Sequence, residues 1–363
     1  MYREHFSGSY NPDDVQFLLT PMVMEDTPVH VKEALIQSGQ KHYSEMLSHE
    51  ALPTADYVQL FYQAMQQNQQ RVAEHVGLLA KRIVQTRPQG ITLVSLARAG
   101  TPIGVLLKQV LKRYFGIATS HYSISILRDK GIDTAALRYI LQRHTVESLV
   151  FVDGWTGKGV IARQLADSLQ DFADSDGFDI PAELYVLTDL SGSAAVAASG
   201  EDYLIPSCIL NATVSGLVSR SIYTKNNPLS HDFHGCVYYQ QFAEQDLSSY
   251  FINTILATLD EHWPQIKNST NAYDRNRQHT QAQVLLQWLL EKYGVSRLNY
   301  IKPGIGEATR VLLRREARLL LLQQDDSEQT EHLRWLAHAK SIPLEIIPNL
   351  PYRAVALIKE MKL

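Results

Sequence analysis

The sequence predicts an α/β fold in which a largely parallel β-sheet is followed by a second, smaller α/β unit. Between residues 91 and 189, short apolar runs alternate with stretches of helical periodicity, which is typical of βαβ units. A polar stretch follows at 263–280, and the alternation then resumes on a smaller scale. The chain has 363 residues, of which 45% are hydrophobic and 20% charged, so there is room for two domains.

The larger unit is predicted to begin with a long helix. Apolar residues recur at three- and four-residue steps up to Val84, Thr54 is placed to cap the helix, and RPQG at 87–90 ends it. Pro102 fits the first turn of the next helix. The remaining helical patterns lie at 134–144, 160–170, 214–223 and 246–263, and the predicted strands lie at 91–97, 121–127, 148–153 and 183–189.

Three boundaries follow from this pattern. Residues 1–50 combine turn signals with a short helical pattern, and we expect an N-terminal cap before a larger domain at 51–262. The stretch 263–280 is polar and lacks periodicity, which predicts a linker. The C-terminal domain, 281–363, is predicted as a small three-layer α/β/α unit with helices at 282–294, 308–317, 332–340 and 351–361 and strands at 297–303, 318–324 and 343–348.

Composition bears on location and partners. Two cysteines are too few for a disulfide framework and favour a reducing compartment. We expect a cytoplasmic protein, because the N-terminal residues lack an apolar signal segment and no run approaches about 18 apolar residues. Residues 275–363 hold 14 basic and 9 acidic residues, whereas the rest of the chain holds 20 and 29, so the two parts are expected to have different partners.

The stretch FVDGWTGKGV at 151–160 carries the clearest chemical signal. A buried strand delivers Asp153 to the carboxyl edge of a parallel sheet, where ligands of such sheets bind. The glycines that follow let the backbone approach an anion, and successive N–H groups with a helix N-terminus form an anion site. An acid beside an anion site suits a sugar phosphate. The alternative is a tight turn whose glycines serve geometry alone; neither a Walker A loop nor a G-x-G-x-x-G fingerprint is present.

Two further segments fit the same ligand. The turn SLARAGTP at 95–102 also follows a buried strand, and its N–H groups with Arg98 are suited to a second phosphate. The loop ILRDKGID at 126–133 offers Arg128 and Lys130, either as a lid over a polyanion or as an ordinary solvated loop.

The order of these elements resembles that of type I phosphoribosyltransferases across residues 85–240. Over nearly its full length the chain is similar to the phosphoribosyltransferase–PELOTA fusion family linked to tellurite-resistance stress operons, a family also labelled cysteine protease StiP. The resemblance implies a parallel sheet with helices on both faces, a C-terminal PELOTA/L7Ae-like RNA-binding domain, and a homodimer.

The resemblance also implies a ligand, phosphoribosyl pyrophosphate (PRPP), with Mg²⁺ bridging its pyrophosphate and ribose near Asp153. It implies that Asp153 meets the ribose hydroxyls and that Arg98 and Arg128 join it as catalytic residues. Further residues would hold the phosphates: Gly154, Thr156, Gly157, Lys158 and Gly159 around the 5-phosphate, Ala99, Gly100 and Thr101 at the pyrophosphate, and Lys130 from the loop.

Two departures from the family loop matter. Gly154 stands where the family usually has a second acid, and Gly159 stands where it usually has Thr. The loss of one acid weakens the clamp on the ribose hydroxyls, so a shifted substrate or a divergent reaction remains an alternative. In the family's reaction the protein mainly positions the reactants and stabilises the charge of the leaving pyrophosphate.

The segment HDFHGCVYY at 231–239 places His231, His234 and Cys236 within six residues. Cys236 with His234 is the alternative nucleophile of a cysteine protease, although catalytic cysteines usually find their histidine through the fold. A three-ligand metal site is a second interpretation. The third is an aromatic-rich segment of the core or of a base pocket. Cys208, within LIPSCIL, is expected to be a buried apolar residue.

The stretch YIKPGIGEATRVLLRR at 300–315 is basic and glycine-containing. Lys302, Gly304 and Gly306 precede a predicted helix whose one face carries Arg310, Arg314 and Arg318, which suits contact with a nucleic-acid backbone. This stretch resembles the PELOTA/L7Ae motif that contacts RNA. The alternative is a solvated cationic face.

Three functional hypotheses follow. The first is a Mg²⁺-dependent phosphoribosyltransferase acting on a nucleobase or nucleotide-like metabolite in a stress-linked pathway. The second is a non-catalytic protein that senses PRPP or a nucleotide and binds RNA. The third is a cysteine protease.

Overall fold

The computed structural model describes residues 6–28, 31–32, 35–36, 38–223, 233–270 and 273–360. In the first part of the chain the strands are β1 (Gln16–Leu18), β2 (Thr20–Pro21), β3 (Thr92–Ala97), β4 (Ser120–Leu127), β5 (Gly131–Ile132), β6 (Leu149–Thr156), β7 (Leu184–Asp189), β8 (Val196–Ser199) and β9 (Gly235–Cys236). Seven of them form one sheet in the order β1-β4-β3-β6-β7-β8, with β5 antiparallel beside β4 and every other pairing parallel. The predicted α/β fold with a largely parallel sheet is therefore confirmed.

Helices cover both faces of this sheet. They are α1 (Ala55–Thr86), α2 (Thr101–Phe115), α3 (Thr134–Leu141), α4 (Val160–Asp176) and α5 (Ser248–Asn268). Val150 and Val152 of β6 belong to the core formed with α1, α2 and α5, whereas Phe151 belongs to the core formed with α3 and α4. Because side chains alternate along a strand, the apolar run of β6 fills both cores at once.

The smaller sheet follows in the second part of the chain. Its strands are β10 (Ile301–Pro303), β11 (Ala317–Leu322), β12 (Leu344–Ile346) and β13 (Ala354–Ile358), in the order β10-β13-β11-β12, and its helices are α6 (Arg275–Tyr293), α7 (Ile305–Arg314) and α8 (Glu331–Ala339). Leu289 of α6 lies in one core, whereas Leu312 of α7 and Leu333 of α8 lie in another. The predicted three-layer arrangement is confirmed.

Residues before α1 belong to the larger sheet. β1 pairs in parallel with β4, and β2 pairs with β9, while Phe17, Leu18 and Met46 are buried. The segment 1–50 was expected to decorate the fold, and its described residues instead supply an edge strand and core side chains. The short QFLLT run that forms this strand is surrounded by turn residues, so its pattern alone does not predict a strand.

Three secondary-structure expectations are wrong. Residues 351–361 were expected to form a helix, but the continuous apolar run at 354–358 forms the fully buried strand β13; short buried runs do not distinguish helix from strand. Residues 214–223 were expected to form a helix, but residues 217–222 pair with 235–239. The predicted linker at 263–280, which shows no helical periodicity in the sequence, is largely helical. Helix α5 continues to Asn268, with Trp263 stacked on Tyr114, and α6 begins at Arg275.

The two units are packed against each other. A side chain at Gly192, which has a φ of +63°, would overlap the backbone of α6 at Arg275 and His279. The carboxylate of Asp202 accepts hydrogen bonds from the amides of Ile305 and Arg353, each at 2.8 Å. The domain boundaries given above stay a prediction, but the units meet at a dense interface. None of the helices in the described part of the chain is long and apolar enough to cross a membrane.

Candidate anion site between the two units

The two glycine turns singled out in the sequence lie side by side. β3 pairs with β6, so the turn after Ala97 and the turn after Thr156 meet at the carboxyl edge of the sheet. A Cβ atom on Gly100 would overlap the carbonyl oxygen of Val152, so only glycine allows this approach. The Ala97–Arg98 peptide bond is cis. The structure thus places the two turns that were predicted to bind one ligand at the same edge of the sheet.

Arg98 and Thr101 are already engaged by the protein. Nη1 of Arg98 lies 3.2 and 3.0 Å from the carboxylate oxygens of Glu50 and donates to the carbonyl oxygen of Val218 at 3.0 Å. The hydroxyl of Thr101 is buried 2.7 Å from that of Ser123. In this arrangement the turn offers its backbone at Ala99 and Gly100 to a ligand, and the Arg98 guanidinium only after Glu50 releases it.

Asp153 lies near the end of β6 and is partly buried. Its carboxylate accepts a hydrogen bond from the amide of Gly154 at 2.8 Å. Burial, with a smaller contribution from the charge of Glu307, raises the pKa of Asp153 to about 7, while the hydrogen bond from Gly154 and the charge of Arg310 oppose the shift. A carboxyl group that titrates near neutrality can accept or hold a proton at physiological pH.

The glycine turn after β6 is closed by its own hydroxyl groups. Thr156 Oγ1 accepts a hydrogen bond from the amide of Gly159 at 3.1 Å and lies 3.3 and 3.2 Å from the hydroxyls of Ser191 and Ser193. The two serines come from the turn after β7 and were not identified in the sequence, although the motif LSGS directly follows a buried strand. Gly159 has a φ of +71°, which favours glycine and explains why no threonine stands there.

Lys158 points into the second unit. Its ammonium group donates hydrogen bonds to the carbonyl oxygens of Leu298 and Ile301, at 2.7 and 2.8 Å. Desolvation, followed by the charge of Lys302, lowers the pKa of Lys158 to about 7. The backbone of Gly157 also packs against this unit, since a Cβ atom there would lie 3.1 Å from the carbonyl oxygen of Pro303. The proposed phosphate turn is thus half covered by the C-terminal unit.

The residues expected to contact RNA lie at this same interface. Nζ of Lys302 is 3.8 Å from Glu307, and the guanidinium of Arg310 lies 5.8 Å from the centre of the Trp155 ring. A Cβ atom on Gly304 would overlap Leu190, and one on Gly306 would lie 3.5 Å from Cys208 Sγ. These four residues therefore face the larger sheet, which departs from the expected nucleic-acid face.

Two other arginines of the basic stretch are exposed. Arg314 is the last residue of α7, and one of its nitrogens donates to the carbonyl oxygen of Ile209 at 2.8 Å. Arg318 was expected on the same helix, but α7 ends before it, and Arg318 lies in β11 and donates to Tyr293.

The loop at 126–133, which was considered as a lid, borders an open cleft. Arg128 and Lys130 are exposed; the amide of Arg128 donates to the hydroxyl of Tyr43, and Lys130 lies 5.3 Å from the centre of the Tyr223 ring. The cleft has a volume of about 460 Å³ and extends along the N-terminal end of α4. Its charged lining residues are Arg128, Lys158, Arg163 and Arg297 on the basic side and Asp129 and Asp167 on the acidic side.

Comparison with known proteins decides the family. A family model described as tellurite-like stress resistance cysteine protease StiP matches residues 8–256. A protein named cysteine protease StiP from Acinetobacter baylyi is 44% identical over 370 residues, which cover 99% of this chain and 96% of that protein. The chain belongs to the StiP family.

The second unit matches a further model. Residues 280–360 match the model of the PELOTA RNA-binding domain. Among solved structures, a hypoxanthine phosphoribosyltransferase of Trypanosoma cruzi is 15% identical with a TM-score of 0.26, covering 38% of this chain and 82% of that one. A hypoxanthine-guanine phosphoribosyltransferase from Bacillus anthracis is 13% identical with a TM-score of 0.26, covering 47% and 94%. These two likenesses are weak and add nothing to the argument about function.

The cysteine of the StiP family name has two candidates in this chain, and both are buried. Cys236 is fully buried in β9 and Cys208 is 4% exposed; burial raises the pKa of each thiol to about 12. His234 Nδ1 lies 2.8 Å from Ser125 Oγ, and its backbone amide donates to Asp133. His231 lies outside the described residues. A Cys236–His234 nucleophile pair is not formed in this arrangement, because the thiol of Cys236 is buried and the imidazole of His234 is hydrogen-bonded to Ser125.

Proposed function

We propose that this chain binds a phosphorylated ribose compound, with PRPP as the first candidate, at the carboxyl edge of its larger sheet. The observation that carries the proposal is the position of Asp153 near the end of β6, just before the glycine turn that begins α4, together with the basic cleft that Lys158 and Val160 line at the start of this helix. The 17-residue helix α4 has no side-chain cap at Gly159, so its first amides are available to a phosphate.

The charge distribution supports a phosphate in this place. Four cationic side chains and two carboxylates line the cleft, which gives it a net positive charge. Concave, positively charged sites concentrate anionic ligands, and backbone amides at a helix start add fixed donors. We therefore place the 5-phosphate at the turn 156–159 and the ribose hydroxyls beside Asp153.

The residues near Asp153 fit a magnesium ion that is shared with the ligand. In the ranges that the structure describes, no group of three or more His, Cys, Asp or Glu side chains is arranged to hold a metal. Mg²⁺ commonly takes only one or two carboxylates and completes its coordination with water and substrate phosphates. Asp153 and Glu307 are close enough to influence each other's ionisation and would supply those carboxylates. When bound, the ion would offset charge on the departing pyrophosphate.

The activity we propose is transfer of the phosphoribosyl group to a nitrogen base. The bond from the anomeric carbon to pyrophosphate breaks, a bond from that carbon to a base nitrogen forms, and the nitrogen loses its proton. The amides of Ala99 and Gly100 would face the pyrophosphate, and Asp153, with its pKa of about 7, would hold the ribose or take the proton. A protein that only senses PRPP would bind it and release no pyrophosphate.

Calorimetric titration with PRPP, with and without Mg²⁺, tests the binding step. Asp153→Asn is the test variant, and Asp179→Asn, an exposed carboxylate beyond the end of α4, is the matched control. We expect Mg²⁺-dependent binding by the parent chain and the control, and at least tenfold weaker binding by Asp153→Asn. Folded parent protein that does not bind PRPP would overturn the proposal. Pyrophosphate release with a panel of bases then separates the transferase from the sensor.

Peptidase activity is the second candidate, because the relative at 44% identity is named a cysteine protease. The two thiols are buried with a raised pKa, so a peptidase would require a conformational change that exposes one of them. Casein hydrolysis or self-processing that is lost in Cys236→Ala or Cys208→Ala and kept in Asp153→Asn would favour this function. Activity that is kept in both cysteine variants and lost in Asp153→Asn would exclude a cysteine peptidase.

RNA binding is proposed for the C-terminal unit, on the match of residues 280–360 to the PELOTA model. Arg314, Arg315 and Arg318 are exposed and provide a cationic surface, in which Arg314 also donates to Ile209 of the larger unit. Fluorescence anisotropy with a kinked-stem RNA and the triple Arg→Gln variant tests this, with Arg82→Gln on α1 as the control. Equal binding by the triple variant and its control would contradict it. The homodimer stays a prediction.

A further inference from the structure

We infer that Lys302 and Arg310 of the C-terminal unit form part of the phosphate site, so that one anionic ligand is held from both sides of the interface. The inference rests on the proposed function, because it assigns additional residues to the same site. It makes the C-terminal unit a component of small-molecule recognition, in a position where the sequence indicated RNA contact. The group consists of Asp153, Lys158, Lys302, Glu307 and Arg310, and we call it the interface cluster.

Geometry places the cluster beside the phosphate turn. Lys158 belongs to that turn, and its ammonium group reaches the carbonyl oxygen of Ile301, the residue before Lys302. Arg310 lies over Trp155, which directly precedes Thr156 of the same turn. The C-terminal side chains are thus brought to the turn by the packing of the two units.

Two cations of the cluster have unused donors. Among the residues that the structure describes, the guanidinium of Arg310 has no hydrogen-bond acceptor and no carboxylate oxygen within 4 Å. It lies over the ring of Trp155. Lys302 has a side chain only 15% exposed, and its partner Glu307 is 3.8 Å away, which is longer than a hydrogen bond. Partly buried charged donors without acceptors are costly, and a phosphate oxygen satisfies several at once.

The charges of the cluster do not balance. Lys158, Lys302 and Arg310 carry up to three positive charges, and Asp153 and Glu307 carry up to two negative ones. Arg128, Arg163 and Arg315 act on the same lysines and add to the excess. An anion entering between the two units would relieve this excess.

The location also limits the size of the ligand. The turn 156–159 is covered by Pro303 and by the 298–301 segment, so the phosphate enters from the basic cleft and not across the open sheet edge. We expect a small phosphate compound to reach the turn by this route. A folded RNA or a protein would require the two units to separate.

Binding of inorganic pyrophosphate to the full-length protein tests the inference by calorimetry. We expect Lys302→Gln and Arg310→Gln each to weaken binding at least tenfold. The exposed cations Lys112→Gln and Arg82→Gln are the matched controls and should bind as the parent does. Thermal unfolding checks that each variant is folded. If either glutamine variant is unfolded, Lys302→Met or Arg310→Met, which removes the charge and keeps an apolar stem, takes its place.

The same variants separate this inference from the proposed function. PRPP binding that is lost in Asp153→Asn and unchanged in Lys302→Gln and Arg310→Gln would overturn the two-sided site and leave the proposed function standing. A different result would support the two-sided site and contradict the proposed function. In that case the two C-terminal variants bind pyrophosphate more weakly, while Asp153→Asn binds PRPP as tightly as the parent does. A folded parent chain that binds neither pyrophosphate nor PRPP would overturn both.

Discussion

The guanidinium of Arg98 is held by both carboxylate oxygens of Glu50, 3.2 and 3.0 Å away, in an ion pair whose side chains are only 16% and 12% exposed. This pair joins the turn after β3 to the segment before α1. Glu50 also accepts a hydrogen bond from the amide of Ala212 at 2.7 Å, so one carboxylate connects three parts of the chain.

Glu50→Gln is therefore expected to lower the free energy of unfolding by about 2 kcal/mol, because it removes the ionic partner of a partly buried arginine. Urea unfolding followed by tryptophan fluorescence measures the change. Glu147→Gln, at an exposed position, serves as the control and should be neutral. If Arg98 contacts pyrophosphate once released, the Glu50 variant should also bind pyrophosphate more tightly. Unchanged stability would show that the pair contributes nothing.

Asp153→Asn is expected to stabilise the folded protein above neutral pH. The folded-state pKa of Asp153 is raised to about 7 from the ordinary 3.8, so its contribution to stability is fully present below pH 3.8 and is lost as pH rises through 7. One pKa unit corresponds to about 1.4 kcal/mol, and solvent access reduces the effect, so we expect a gain of about 2 kcal/mol at pH 8.

The measurement is urea unfolding of the variant and parent at pH 4.5, 6 and 8. The difference between them should shrink as pH falls, because the parent carboxyl group is then protonated and resembles the amide. Asp179→Asn should show no such trend. A variant less stable than the parent at pH 8 would indicate that Asp153 is structural. The predicted gain in the free energy of unfolding would instead indicate that Asp153 serves ligand binding and lowers the stability of the folded protein.

Much of the fold was predictable from the sequence because its signals are local. The strand at 91–97, the helix after Pro102 and the turn at 153–159 each combine a buried run with a glycine or proline that fixes the adjoining geometry. Adjacent βαβ units also made it predictable that the turns at 98–101 and 153–159 lie on one sheet edge.

The interface cluster was not predictable, because it depends on how the two units pack. A basic, glycine-containing stretch such as IKPGIGEAT looks the same whether it faces solvent or another domain. What orients it is Asp202, which accepts hydrogen bonds from Ile305 and Arg353 across more than 100 residues of sequence. The capture of Arg98 by Glu50 is a second such long-range contact, since no periodicity relates the two residues.

The thiols of Cys208 and Cys236 are expected to resist modification in the native protein. Burial raises the pKa of both to about 12, so the reactive thiolate is scarce at pH 8 and the reagent lacks access. Reaction with a disulfide reagent at pH 8 should be at least a hundredfold slower than in 6 M guanidinium chloride. Cys208→Ala and Cys236→Ala assign each site. Rapid labelling of one thiol in the folded protein would contradict the buried arrangement and support the peptidase candidate.

Gly192→Ala tests the packing of the two units against a matched control. Gly192 and Gly116 have nearly equal positive φ values, +63° and +66°, so alanine imposes a similar backbone strain at both. A Cβ atom at Gly192 would overlap the backbone of α6 at Arg275 and His279, whereas nothing lies within 4 Å of one at Gly116. We expect Gly116→Ala to cost about 1 kcal/mol and Gly192→Ala about 3 kcal/mol or more, since α6 must shift.

Urea unfolding and limited proteolysis around residues 269–274 measure the two effects. If α6 is displaced in Gly192→Ala, cleavage in this segment should be faster than in the Gly116 variant. The interface cluster should then lose pyrophosphate binding as well, because Lys302 and Arg310 move with the C-terminal unit. Equal stability of the two alanine variants would show that α6 does not pack on the turn after β7, and the two-sided phosphate site would lose its structural support.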